Sequence, residues 1–260
     1  MQKNTLTTPL WELPMIPDTH AKRINARRKG SYGIDAPRLL PIFGLLILAN
    51  IVNGVISRTV WGFVGAAIIA GCGGLGLYAS RRGKFLVWAE LLDQLQLRGN
   101  EQILDIGCGR GAVLLMAAER LTTGRAVGVD LWKRGDQSGN AAEATQRNAE
   151  AEGVADRVEL QTADMTALPF ENATFDVVLS SLAIHNVKSG AGRDQAIEQA
   201  VRVLRPGGRL MIADILATRR YCARLAALGM IDVRRRGLGW RVWWSGPWLP
   251  THLVTATKPR

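Results

Sequence analysis

Histidine and cysteine are scarce in this sequence, with three of each among 260 residues. Cys72, Cys108 and Cys222 are widely spaced and odd in number, so they offer neither metal-ligand spacing nor a disulfide framework. A His/Cys metal centre is therefore not expected, and a reducing compartment is the default reading. Acidic residues are scarce too, but only in one region. Residues 1–84 hold 11 Lys/Arg against 3 Asp/Glu, whereas residues 85–260 hold 22 against 19. The formal net charge of +11 thus sits mainly in the first third of the chain. A nucleic-acid-binding domain spreads its basic charge over a folded surface, so no nucleic-acid partner is expected.

Charge of either sign is absent from Leu39 to Ser57 and again from Thr59 to Ser80, with Arg58 alone between the two runs. Each run is close to the roughly 20 residues a helix needs to cross a hydrocarbon core. The apolar stretch starts too late for a signal peptide, and a second follows at once. Lys22, Arg23, Arg27, Arg28, Lys29 and Arg38 precede the first run, and Arg81, Arg82 and Lys84 follow the second. Positive residues stay on the cytoplasmic side. The expectation is an integral membrane protein with a transmembrane hairpin over residues 38–81, Ser57-Arg58-Thr59 at the far side, and both termini cytoplasmic. Gly62, Ala66, Ala70 and Gly74 recur every four residues and suggest a face for close helix packing. Asn50 and Asn53 would prefer protein partners to lipid. No ionisable residue lies inside either run, which argues against transport. Residues 1–37, basic and with Pro9, Pro14, Pro17 and Pro37, are expected to form a poorly ordered cytoplasmic tail.

From about residue 82 to 260 the texture changes to that of a folded domain. KFLVWAELLDQLQL (84–97) has a helical period, and EQILDIG comes next as a strand. Helices are expected through 114–121, 141–153 and 193–204, with PGG (206–208) stopping the last. Strands are expected over 126–132, 157–164, 175–181 and 209–215, with MIDVRRR and HLVTATK as closing strands. Strands alternating with helices argue for an α/β fold with a parallel sheet.

Residues 103–111 read ILDIGCGRG. A phosphate-binding P-loop needs Lys-Ser/Thr after its last glycine, and none is present. A dinucleotide loop spaces its glycines G-x-G-x-x-G, but here they run G-x-G-x-G. Nineteen residues after Gly111, Asp130 ends the strand AVGVD, a position suited to the two hydroxyls of a ribose. Asp164, in ADMTALPF, ends the third strand, where a carboxylate can accept a hydrogen bond from an exocyclic amine, and Met165 can cover a base.

Together, ILDIGCGRG, GVD, ADMTALPF, FDVVLSSLAIHNV and VLRPGGRL resemble the motifs of class I S-adenosylmethionine-dependent methyltransferases, in that family's order and spacing. The resemblance covers about residues 85–260. It implies a Rossmann-like, doubly wound, seven-stranded and mostly parallel sheet with its last strand antiparallel. It implies S-adenosylmethionine as cofactor, a sulfonium amino acid joined to adenosine with no phosphate. Asp105 and the loop residues Gly107, Cys108, Gly109 and Gly111 would hold its methionine part, Asp130 its ribose, and Asp164 with Met165 its adenine. Leu131 and Ser181 join them as cofactor-binding candidates. Cys108 reads as a small filler of the loop rather than a nucleophile. His185, just past the fourth strand, is the candidate general base, since imidazole exchanges protons near neutral pH. The ADMTALPF and HNV stretches look closest to small-molecule methylators acting on quinones or sterols.

RRRGLGWRVWWSGPW (234–248) mixes arginine with Trp240, Trp243, Trp244 and Trp248, a mixture common at membrane–water interfaces. The expectation is therefore a membrane-anchored S-adenosylmethionine-dependent methyltransferase with a small, lipophilic acceptor. The alternative is a membrane-tethered cofactor-binding regulatory module without turnover.

Overall fold

The computed structural model describes residues 28–133 and 137–260. The two charge-free runs form helices α1 (Leu39–Ile56) and α2 (Val60–Tyr78), joined by a short turn. Both are long and apolar enough to cross a membrane, and only 6% and 11% of their apolar windows are covered by protein. They pack against each other as an antiparallel pair. A Cβ added to Gly62 would collide with the backbone of Asn50 and Gly54, and one added to Gly65 would meet the Asn50 side chain. Gly73 faces Phe43, while Gly74 has nothing beside it and Ala70 is exposed. The packing line is thus Gly62, Gly65, Ala66 and Gly73, not the expected Gly62, Ala66, Ala70 and Gly74. Steps of four drift by about 40° each on a helix of 3.6 residues per turn, so a long contact needs some steps of three. Both asparagines find protein partners: the Asn50 amide donates to the Leu46 carbonyl at 2.9 Å, and Asn53 accepts from the Ser57 hydroxyl at 3.3 Å.

The hairpin runs into the sheet domain without a break. From Tyr78 the chain passes through one π-helical turn, Ala79–Gly83, directly into α3 (Lys84–Gln94). Such a turn marks a place where the helix yields to a neighbour. Here the neighbour is the carbonyl of Arg241, with which any Cβ at Gly83 would collide.

Beyond α3 the chain builds β1 (Gln102–Ile106), α4 (Ala112–Ala118), β2 (Arg125–Asp130), α5 (Ala142–Glu152), β3 (Val158–Thr162), β4 (Phe175–Ser181), α6 (Gly190–Val203), β5 (Leu204–Asp214), α7 (Thr218–Ala227), β6 (Ile231–Gly237) and β7 (His252–Thr257). The sheet has seven strands in the order β3-β2-β1-β4-β5-β7-β6. β7 alone runs antiparallel, between β5 and β6. This is the doubly wound, mostly parallel sheet expected. The strand order reverses between β1 and β4, the kind of switch point where such sheets bind ligands at their carboxyl ends.

Two apolar layers flank the sheet, and strand alternation assigns β1 to both. Ile103 joins Trp88, Leu91 and Leu92 of α3 and Leu114 of α4 on one side. Leu104 and Ile106 join Ile197 and Ala200 of α6 on the other. α6 starts at Ser189, whose hydroxyl caps the helix by accepting from the Gly192 amide at 2.9 Å. The Arg-Pro-Gly-Gly segment, expected to precede the fifth strand, instead lies within β5.

Of the tail expected over residues 1–37, residues 1–27 lie outside the described residues. Residues 28–37 differ from the expectation, because they form a strap packed on the sheet domain. The Ser31 amide donates to Asn148, the Tyr32 hydroxyl to Glu152, and the Ile34 amide to the Ser138 hydroxyl, all at 2.8 Å. Tyr32 is buried edge-on against Phe85. Arg28, read from sequence as a flanking charge, pairs instead with Glu119.

Candidate active site

The carboxyl ends of β1, β2, β3 and β4 open into one cavity of about 270 Å³. Its wall contains Asp105, Gly107, Cys108, Gly109, Asp130, Leu131, Asp164, Met165 and Ser181. Two of the expected residues are not in it. Gly111 lies behind the loop as the N-cap of α4, against Thr145 and Leu115. Its φ of +84° still requires glycine, so its place in the motif reflects the turn and not ligand contact. His185 is also absent from the wall, although Ala183, Asn186, Val187 and Lys188 belong to it. Its Nδ1 lies 2.5 Å from Asp214 Oδ1, and its amide donates to Asp214 Oδ2 at 3.0 Å.

The glycine loop is held from below and from the side. The amides of Gly107 and Cys108 donate to the Val129 carbonyl at 2.8 and 3.1 Å, which ties β1 to β2. The Gly109 amide donates to Asp130 Oδ2 at 2.9 Å, and the Arg110 amide to Gln137 Oε1 at 2.9 Å. Cys108 is buried against Gly128, and burial pushes its thiol well above the usual range. A thiol so disposed is a filler, not a nucleophile.

The acidic residues differ in what they leave open. Asp105 is fully buried, and desolvation raises its carboxyl to about 7. Its Oδ1 has no hydrogen-bond partner, an arrangement that costs stability unless a ligand completes it. Asp130 accepts from the Trp132 amide at 2.6 Å and from the Asn140 side chain at 3.3 Å, besides Gly109. The Oδ1 of Asn140 is itself buried without a partner. Asp164 accepts from the amide and hydroxyl of Thr166 at 2.8 and 2.7 Å through one oxygen, and these bonds lower its carboxyl below the usual range. Its second oxygen remains available. Leu182 and Trp132, at φ +55° and +54°, are non-glycine residues held in the left-handed region at strand ends beside the cavity. Strain of that kind clusters at functional sites.

Several wall residues had no signal in the sequence. Lys84, read there as a flanking charge of the hairpin, is buried in the wall and pairs with Asp35 Oδ2 at 2.7 Å. Asp35 also accepts from the Ser80 hydroxyl at 2.8 Å and from Gln137 Nε2 at 2.9 Å. One carboxylate thereby joins the end of the hairpin to the strap and, through Gln137, to the glycine loop. One turn beyond Lys84, Trp88 donates its indole N–H to the Ser181 hydroxyl at 2.9 Å. Asp35 and Gln137 were invisible because their role depends on partners remote in sequence, and Asn140 because it lies in a loop without periodicity.

Residues 104–212 match the family model described as a methyltransferase domain. Over these residues the chain carries a methyltransferase domain. Over 131 residues it is 33% identical to a sterol 4-C-methyltransferase of Caenorhabditis elegans, covering 50% of this chain and 36% of that protein. Over 129 residues it is 36% identical to a ubiquinone/menaquinone biosynthesis C-methyltransferase of Roseobacter denitrificans, covering 49% of this chain and 48% of the relative. The chain therefore spans about half or less of the length of these relatives. Its fold is similar to that of a geranyl diphosphate methyltransferase in complex with S-adenosylmethionine, with a TM-score of 0.54 and 18% identity over 70% of this chain and 87% of the other. The fold of the [4+2]-cyclase SpnF is also similar, with a TM-score of 0.53 and 19% identity over 66% of this chain and 81% of that one.

Proposed function

We propose that this protein is a membrane-anchored methyltransferase that moves the methyl group of S-adenosylmethionine to a small, lipophilic acceptor dissolved in the bilayer. The hairpin spans residues 38–81, and residues 82–260 with the strap form the catalytic domain. The Arg81-Arg82 pair, against Arg58 alone in the turn, favours cytoplasmic placement of that domain and of both termini. Sterol and quinone methyltransferases among the relatives agree with an acceptor of low polarity.

The wall suits this cofactor in three places. The unpaired Oδ1 of Asp105 is an acceptor for an ammonium group, and Lys84 is the cation for a carboxylate. The free valences of Asp130 and Asn140 Oδ1 suit paired ribose hydroxyls. Asp164 and Met165 suit an exocyclic amine and a flat base. Bound S-adenosylmethionine supplies an activated methyl group on a sulfonium. The protein's part is alignment and exclusion of water, which carry most of such a transfer. Gly107 allows the backbone to approach, since a Cβ there would strike Ala183.

One observation supports the membrane location of the acceptor above others. α2 runs without a break into the helix whose first residue, Lys84, walls the cavity and whose next turn touches the end of β4. The carboxyl edge of the sheet thus sits at the end of the hairpin rather than far from it. The test is transfer of labelled methyl by membranes containing the full chain. Label is expected in the organic-extractable fraction, and label confined to water-soluble products would overturn the reading. Tight cofactor binding with no transfer to any fraction would instead favour the regulatory module.

A further inference from the structure

The loop between β6 and β7 carries four tryptophans that the cavity does not use: Trp240, Trp243, Trp244 and Trp248. It is a built element, not a slack connection. Trp244 pairs through its amide with the Leu249 carbonyl at 3.2 Å and through its indole with the Thr251 hydroxyl at 3.0 Å. Val242 is buried beneath it. Arg241 makes a two-pronged ion pair with Glu90 of α3, at 2.6 and 2.7 Å. Held this firmly, the loop still leaves Trp240 55% and Trp248 67% exposed. Two large aromatic side chains on a rigid support, open to the surroundings, mark an interaction surface.

Where the loop touches the hairpin identifies its partner. The ring of Trp240 stacks on Tyr78 at 5.3 Å, with planes 18° apart. The carbonyl of Trp244 lies so close to Gly76 that a Cβ there would collide with it. Gly76 and Tyr78 both belong to the charge-free run, N-terminal to Arg81 and Arg82. At 1.5 Å per residue, Gly76 lies about 7 Å to the membrane side of Arg81 along the helix axis. The 19 residues of α2 span about 28 Å, close to one hydrocarbon thickness. The run therefore cannot slide outward to lift the loop clear of the bilayer without leaving apolar helix in water. A second protein is a poorer fit, because any partner at this level would itself have to lie within the headgroup region.

We propose that the β6–β7 loop is a membrane-interface element, with Trp240 and Trp248 seated among the lipid headgroups of the leaflet from which α2 emerges. Tryptophan at this depth places its ring at the apolar boundary and its N–H toward water. The loop gives the domain a second seat on the leaflet beside the hairpin, and keeps the carboxyl edge of the sheet against it. This inference rests on the proposed membrane anchoring of the chain.

The experiment uses the full chain in phosphatidylcholine vesicles, with lipids brominated at shallow or deep acyl positions as fluorescence quenchers. The parent is compared with Trp240→Phe/Trp248→Phe. Alkaline carbonate extraction of both reports the anchor separately, and cofactor binding by the variant reports its fold, since neither tryptophan lines the cavity. The emission present in the parent and lost in the variant should be quenched, and more strongly by shallow bromines than by deep ones. If the protein resists carbonate but that emission is insensitive to both quenchers, the interface element is overturned while the anchor stands. A parent that carbonate releases overturns both. Insensitive emission combined with a dimer that Trp248→Glu dissociates would reassign the loop to self-association.

Discussion

His185 and Asp214 are bound to each other twice, through the imidazole Nδ1 at 2.5 Å and through the His185 backbone amide at 3.0 Å. Asp214 is completely buried at the end of β5 and also accepts from the Ile215 amide and the Tyr221 hydroxyl, at 2.8 and 3.2 Å. The pair fastens the turn after β4, whose neighbouring residues wall the cavity. His185 itself is not among the wall residues, so we expect it to position the turn rather than to act on the acceptor. We expect His185→Asn to keep turnover within a few-fold of the parent. Asp214→Ala should destabilise the domain by more than about 2 kcal/mol, because it strands several buried donors. A fall in kcat of about 10²–10⁴-fold in His185→Asn, with cofactor affinity and stability unchanged, would restore the imidazole as a general base.

Asp105 should make cofactor binding depend on pH. Burial holds its carboxyl at about 7, above the ordinary 3.8, so the proton is retained in the ligand-free protein below neutrality. A cationic ammonium pairs with the ionised form. Affinity should therefore rise as pH increases toward 7 and level off above it. Stability of the ligand-free protein should move the opposite way: a raised carboxyl favours the fold below pH 4, and that advantage is lost as pH climbs from 4 through 7. Calorimetric titration at several pH values, with denaturant unfolding alongside, reads both trends. Asp105→Asn should flatten the affinity profile and weaken binding by about ten- to a hundred-fold. A parent profile without slope between pH 5 and 8 would refute the assignment.

Lys84 and Asp35 can be separated by a double variant. Lys84→Met removes the proposed carboxylate partner and also leaves Asp35 without its ion pair. Asp35→Asn/Lys84→Met removes both charges. If Lys84 serves the cofactor, the double variant should recover stability but stay about tenfold or more weaker in cofactor affinity. Recovery of affinity together with stability would make the pair a structural tie alone.

Asp130 meets both the glycine loop and the cavity. It braces the loop through the Gly109 and Trp132 amides, and it faces the cavity beside Asn140. Asp130→Ala should therefore lose both stability and affinity. Asp130→Asn keeps an acceptor for only one of the two amides, so it should lose less stability than Asp130→Ala while losing affinity by about ten- to a hundred-fold. Equal thermal shifts in the two variants, with affinity unaltered, would leave only the bracing role.

Much of this arrangement was legible in the sequence, and what was not has a common cause. Strand ends show in the sequence because the apolar run stops there, so Asp130 and Asp164 stood out, whereas Asp105 stood out as an acid inside the apolar strand that leads into the glycine loop. Glycines with positive φ were visible as a motif, but the motif did not separate Gly107, which lines the cavity, from Gly111, which only starts a helix. α7 escaped because only Thr218, Tyr221 and Leu225 are buried, too thin an apolar stripe in a basic segment. Asp35 and Lys84 owe their place to contacts between the strap, the hairpin and a loop some hundred residues away. Local periodicity carries no trace of such docking. The partner of His185 was hidden for the same reason: its position in the chain is near the cavity, but Asp214, which holds its side chain, lies 29 residues away.

The most direct measurement is mass spectrometry of lipid extracts after membranes bearing the full chain are incubated with methyl-labelled S-adenosylmethionine. Membranes bearing Asp105→Asn serve as the control. A lipid-soluble product carrying the labelled methyl should accumulate with the parent and fall to background with the control. Parent membranes that bind the cofactor yet yield no labelled lipid-soluble product above the control would contradict a methyltransferase working on an acceptor in the bilayer.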